Sequence, residues 1–125
     1  MVHATEIQTV DMEDLWGLDR IDQHGYPLNK QYEYLFDGSE IEVYVADSGI
    51  YASHEQFRGR NIECVHDAIN ERNYPNCLDG DSHGTHVSGT IAGRTTGECS
   101  TPAKFLLSNY KPISYYTDSF SFFFF

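Results

Sequence analysis

The sequence predicts an α/β chain organised on a parallel sheet, and three stretches carry that prediction. IEVYVAD, Ile41 to Asp47, is rich in β-branched and aromatic residues and has turn residues on both sides, the pattern of a strand. IECVHDAI, Ile62 to Ile69, reads as a second, shorter strand. SHGTHVSGTIAGR, Ser82 to Arg94, reads as a helix made largely of small residues.

In the first strand Ile41, Val43 and Val45 share one face. Glu42, Tyr44 and Ala46 share the other, which becomes apolar toward its end. A strand covered on both faces at its carboxyl end belongs in a parallel sheet. Asp47-Ser48-Gly49 ends it. Sites in open α/β sheets form beyond the carboxyl ends of strands, so Asp47 is a functional candidate as well as a turn-forming residue. In the helix, Asp81 or Ser82 suits the N-cap. Val87 and Ile91 lie four apart on one face, and Gly93 and Arg94 suit the end. Gly84 and Gly89 are poor helix formers, and keeping them implies that something approaches the helix backbone closely.

The remaining segments are less regular. Residues 1–14 are polar and acidic, and read as extended or loose. WGLDRID, Trp16 to Asp22, is expected to dock through Trp16, Leu18 and Ile21. HGYPLNKQYEYLFDGSE is rich in turn signals, as is ERNYPNCLDGD, with Pro75 and Asp79-Gly80.

Composition narrows the function classes. With 125 residues and a formal net charge of −11, the chain is at most one domain. Nucleic acid is an unsuitable partner, because binding phosphates needs clustered Lys and Arg. There is no run of about 18 apolar residues, so no membrane span is expected. The opening MVHATEIQTVDMEDL lacks the basic start and apolar run of a secretory signal. Of the three cysteines, Cys64 and Cys77 either pair in an oxidising compartment or stay free, and Cys99 is left over. Half of the aromatic residues fall after Thr101, ending in SFSFFFF, which has neither helical nor strand periodicity.

DGDSHGTHVSGTIAG, Asp79 to Gly93, admits three chemical readings. Gly80 to Gly84 fits G-x-S-x-G, but a nucleophile elbow needs a strand entering it and the order Ser, acid, His, which the later residues do not supply. His83 and His86 form H-x-x-H, with Cys77, Asp79, Asp81 and Cys99 near in sequence. Neither C-x-x-C nor the Glu of H-E-x-x-H accompanies them, so zinc binding is a lesser alternative. The third reading makes His83 a general base. It needs a carboxylate on Nδ1 to fix the tautomer and stabilise the imidazolium, and Asp47 at its strand end is the natural partner.

The surrounding residues favour the third reading. VYVADSGIYASHEQFRGR resembles the Asp motif of the subtilisin family of serine proteases, in its proteinase K-like branch. There an apolar strand runs into D-T/S-G, then a His and an F-x-G-R end; here these are Asp47, Ser48, Gly49, His54, Phe57, Gly59 and Arg60. His83-Gly84-Thr85-His86-Val87-Ser88-Gly89-Thr90 resembles the family's H-G-T-H-x-A-G-T motif. WGLDRID resembles the stretch near the mature amino terminus. Ser48 replaces the commoner Thr, and Ser88 replaces Ala.

The resemblance implies the amino-terminal part of a subtilisin-like parallel-sheet domain, incomplete in these residues. It implies serine endopeptidase activity, with Asp47 as the orienting acid, His83 as the general base and His86 as a supporting helix residue. Protein or peptide substrates follow, with the chain's own pro-segment as a further partner, and so does a secreted, extracellular location. No cofactor is identifiable, although calcium is open for the full-length family. Residues 1–13 resemble the end of a pro-segment and its processing junction, and 14–97 a partial peptidase domain.

After Gly97 the resemblance is expected to stop, leaving 98–125 as an unrelated, disordered, aromatic-rich tail of translated intron or frameshifted sequence. No G-T-S-M-A-x-P motif is present, so the nucleophilic serine is expected to be missing and the chain inactive alone. One good strand, a weak second and one short helix also predict a marginal, aggregation-prone fold. The rival from another class is a non-catalytic binding or regulatory protein derived from a protease.

Overall fold

Alternation along the best strand sets the core. Val43 and Val45 are 1% and 0% exposed, while Glu42 and Tyr44 face outward. The computed structural model describes residues 6–9, 15–38, 41–67, 77–97, 104–109 and 122–124. In chain order the elements are β1 (Glu6–Thr9), α1 (Trp16–Ile21), β2 (Gln31–Tyr34), β3 (Glu42–Asp47), a 3-10 turn (Glu55–Phe57), β4 (Asn61–Asp67), α2 (His83–Ala92), β5 (Lys104–Asn109) and β6 (Phe122–Phe124).

β3, β4 and β5 form a parallel arrangement within a four-stranded sheet of order β4-β5-β3-β6. β4, α2 and β5 make one βαβ unit, in which the helix supplies the crossover that parallel neighbours require. Val87 and Ile91, the two residues expected on one helix face, pack on the core of Val43, Val45, Ile50, Phe57, Cys77 and Ala92. Fully burying a side chain of Val, Ile or Phe size contributes roughly 1.5–3 kcal/mol. Among the described residues, this small cluster contributes apolar contact between sheet and helix.

Two parts of the expected tail behave differently from a disordered segment. Lys104–Asn109 is a central strand, with Val43 opposite Phe105 on one side and Ile62 opposite Phe105 on the other. The run Phe105-Leu106-Leu107 has the continuous apolar character that a strand between two parallel neighbours needs. Phe122–Phe124 pairs antiparallel with β3 and covers backbone groups that an edge strand would leave open. Residues 98–103 and 110–121 lie outside the described residues, as do Cys99 and the expected processing junction near residue 13.

A second, two-stranded sheet pairs β1 antiparallel with β2, so Glu6–Thr9 is extended and paired. Helix α1 rests beside β2 through Leu18, which packs on Tyr32 with Leu15 and Tyr34 alongside. Trp16 and Ile21, also expected to dock, are each 58% exposed. The inward face is set instead by Leu18 and Asp19. The buried Asp19 carboxylate accepts the N–H groups of Asn29 (3.3 Å) and Lys30 (2.6 Å).

Cys64 and Cys77 are joined in a disulfide with their Cα atoms 5.6 Å apart, which settles the alternative left open by the cysteine count. The bridge ties β4 to the segment that leads into α2. Among the described residues, no helix is long and apolar enough to cross a membrane.

Candidate active site

The site forms where β3 ends against the first turn of α2. Asp47 is the last residue of β3, and its side chain is 4% exposed. The next amide, Ser48 N–H, donates to Asp47 Oδ1 at 2.7 Å. Gly49 then turns the chain at φ +123°, a conformation that L side chains rarely adopt. A Cβ there would lie 2.6 Å from the Cys77 carbonyl oxygen. The fit is tight because Ile50 N–H donates to that same carbonyl at 2.7 Å.

α2 meets this loop with its backbone. A Cβ on Gly84 would fall 2.2 Å from the Gly49 carbonyl oxygen, so only glycine allows the approach, as expected for this position. Gly89 has nothing within 4 Å of its would-be Cβ, so close approach does not explain it. With Gly84 seated on the loop, the His83 ring reaches Asp47. Nδ1 lies 2.9 Å from Oδ1 and 3.0 Å from Oδ2. An ionised carboxylate only accepts, so Nδ1 carries the hydrogen and Nε2 is the basic nitrogen. The His83 side chain is 36% exposed, so the ring is partly open to solvent.

Helix α2 is capped from a distance. Ser82 takes a left-handed conformation (φ +80°) and makes no side-chain cap. The expected cap from Asp81 or Ser82 is replaced by Asp79. Its Oδ1 accepts the N–H groups of Asp81 (3.0 Å) and Ser82 (2.9 Å), and its Oδ2 accepts Thr85 N–H (2.9 Å) and the Thr85 hydroxyl. The left-handed turn at Ser82 folds the D-G-D-S loop back so that Asp79, not the adjacent residues, faces the open amides. Ser48 joins the same carboxylate. Its hydroxyl donates to Asp79 Oδ1 (2.8 Å) and accepts Gly84 N–H (2.9 Å).

Electrostatics follow from these contacts. The hydrogen bond from His83 to Asp47 raises the imidazole above its ordinary pKa. Desolvation opposes this, and the charges of Asp47, Asp81 and Asp79 add to the rise. For Asp79, burial pushes the carboxyl up, but the bonds from the Thr85 hydroxyl, Asp81 N–H, the Ser48 hydroxyl and Thr85 N–H outweigh it. Asp79 is held well below the usual carboxylate range and is ionised at neutral pH.

The structure therefore brings Asp47 and His83 together, the pair singled out in the sequence. His86 stays exposed, and its N–H bonds the Ser82 carbonyl within α2. Among the described residues, no three of His, Cys, Asp and Glu are grouped so as to hold a metal ion, and residues 77–82 contain no strand to enter a nucleophile elbow. In sequence Asp79 reads as a turn residue or as a nearby metal ligand, and Ser48 as part of a turn. The usable signal was Asp79-Gly80-Asp81-Ser82, because an Asp side chain readily takes the amides two and three residues on.

Known proteins resemble this chain in sequence and in fold. The family model described as the Subtilase family matches residues 38–109, so the likeness carried by the motifs continues past Gly97 through β5. An extracellular serine proteinase of Thermus sp. (strain Rt41A) is 48% identical over 82 residues, covering 66% of this chain and 19% of that protein. Alkaline serine exoprotease A of Vibrio alginolyticus is 41% identical over 83 residues, covering 66% of this chain and 15% of that protein. The crystal structure of a cold adapted subtilisin-like serine proteinase matches with a TM-score of 0.68 at 36% identity, over 81% of this chain and 34% of that one. The chain spans about a fifth of the length of the curated relatives it matches.

Proposed function

Since the chain belongs to the subtilase family, we propose that Asp47 and His83 are the acid and general base of a serine endopeptidase that hydrolyses protein or peptide substrates by acyl transfer. The observation that carries this reading is the His83 Nδ1 to Asp47 contact at 2.9 and 3.0 Å, formed at the carboxyl end of a parallel strand. Asp47 holds the ring in the Nδ1–H tautomer. Nε2 then takes a proton from an attacking serine hydroxyl and returns it to the leaving amine, while Asp47 stabilises the imidazolium between the two steps. Asp47 does not itself take the proton.

The reaction also needs a nucleophile and oxyanion donors, and these 125 residues hold no G-T-S-M-A-x-P motif. The 125-residue polypeptide by itself is therefore inactive in this reading, and a fluorophosphonate probe does not label it. Labelling that depends on Asp47 and His83 would overturn that part. In an active polypeptide that carries these residues, Asp47→Asn lowers kcat by roughly 10⁴-fold with KM little changed, the scale of a tautomer error in a serine protease. Activity kept to within a few-fold in Asp47→Asn or His83→Ala would remove the assignment. An extracellular setting is part of the proposal, supported by the name of the Thermus relative and by the Cys64–Cys77 disulfide. Residues 1–13 fit the end of a pro-segment, which amino-terminal sequencing of mature enzyme would test.

A further inference from the structure

We propose that Ser48 and Asp79 are positioning residues that hold the His83 ring on Asp47 through a hydroxyl–carboxylate relay between the end of β3 and the first turn of α2; the inference rests on reading His83 as the general base.

Ser48 touches both halves of the pair. Its N–H holds Asp47 Oδ1, and its hydroxyl accepts the amide of Gly84, the residue next to His83. One residue thus links the acid to the backbone that carries the base. Asp79 gives the link its direction. An ionised carboxylate can only accept, so the Ser48 proton points to Asp79 Oδ1 and an oxygen lone pair is left for Gly84 N–H.

The same carboxylate takes the amides of Ser82 and Thr85, which flank His83 and Gly84 in sequence. The Thr85 hydroxyl donates to Asp79 and accepts Tyr51 N–H at 2.9 Å, which adds a second tie between α2 and the segment after β3. The amides of residues 82, 84 and 85 all end on this relay, so the backbone around His83 has little freedom to rotate or withdraw. Groups of this kind need holding to within about 0.5 Å of productive geometry. Among the described residues, the charges acting on the ring are those of Asp47, Asp81 and Asp79.

The test is nuclear magnetic resonance of His83 in the full 125-residue chain with ring-¹⁵N-labelled histidine, titrated through neutral pH. Wild type is expected to show one tautomer, an exchange-protected Nδ1–H proton and a raised pKa. Ser48→Thr keeps the hydroxyl and is expected to retain all three. Ser48→Ala changes no charge. It is expected to lose the protected proton, mix the tautomers and move the pKa down toward its ordinary value. A folded Ser48→Ala chain with an unchanged His83 tautomer and pKa would overturn the proposal. Should Ser48→Ala unfold, Asp79→Asn is read by tautomer alone, because its lost charge also lowers the pKa. Retention of the single tautomer there would likewise overturn it. A wild-type His83 with mixed tautomers and an ordinary pKa would instead contradict the base assignment itself, and the relay would have nothing to position.

Discussion

Replacing Gly84 and Gly89 by alanine, one at a time, sets one helix against two different neighbourhoods. In a helix interior, Gly→Ala ordinarily gains about 1 kcal/mol. At Gly89 nothing lies within 4 Å of the added methyl, so the gain is expected in full. At Gly84 the methyl would lie 2.2 Å from the Gly49 carbonyl oxygen, 3.0 Å from Gly49 N and 3.2 Å from Asp47 Cβ. These are backbone and short side-chain atoms that cannot swing aside, and Gly49 is itself wedged under the Cys77 carbonyl at φ +123°. Overpacking of this kind costs about 1–3 kcal/mol, which offsets or outweighs the propensity gain. The propensity gain is common to both, so the two variants should differ by roughly 1–3 kcal/mol, with Gly84→Ala the less stable. Urea unfolding at constant slope measures this. Equal stabilisation by both substitutions would refute the close seating of α2 on the β3 loop.

Further outcomes follow from individual contacts. Ser88 is fully buried, and its hydroxyl has no hydrogen-bond partner among the described residues. Ser88→Ala should thus stabilise the fold by about 1 kcal/mol in the same assay. Cys64 and Cys77 are 13 residues apart, so replacing both by serine should cost roughly 3 kcal/mol, measured by the shift in unfolding midpoint. The folded-state pKa of His83 lies above its ordinary 6.5. Its stabilising contribution is complete below 6.5 and is lost as pH rises through the folded value, so the stability difference between wild type and His83→Gln should shrink from pH 6.5 upward. For Asp79 the sign reverses: stability present above 3.8 is lost as pH falls below it, and Asp79→Asn should flatten that acid limb.

Local pattern made β3 and α2 legible. Val43 and Val45 alternate with exposed residues, and Val87 and Ile91 repeat at helical spacing against the core. The contact between Asp47 and His83 was legible because both residues sit where such elements expose side chains, Asp47 at a strand end and His83 in a first helical turn. The strand at Lys104–Asn109 was not. Its reason for being a strand is pairing with Val43 and Ile62, about sixty and forty residues earlier, and no local periodicity reports a parallel partner. The Asp79 cap escaped for a related reason. Propensity rules look for the cap at the residue before the helix, whereas a left-handed Ser82 moves the role three residues back. At α1, hydrophobicity favoured Trp16 and Ile21, but the turn amides satisfied by Asp19 decided the inward face.

If Asp47 sets the state of His83, ring-¹⁵N titration of His83 in wild type and Asp47→Asn will separate the two proteins. Wild type is expected to show a single Nδ1–H tautomer with a pKa above 6.5, and the variant mixed tautomers with a lowered pKa. Indistinguishable tautomers and titration in the two proteins would contradict this expectation.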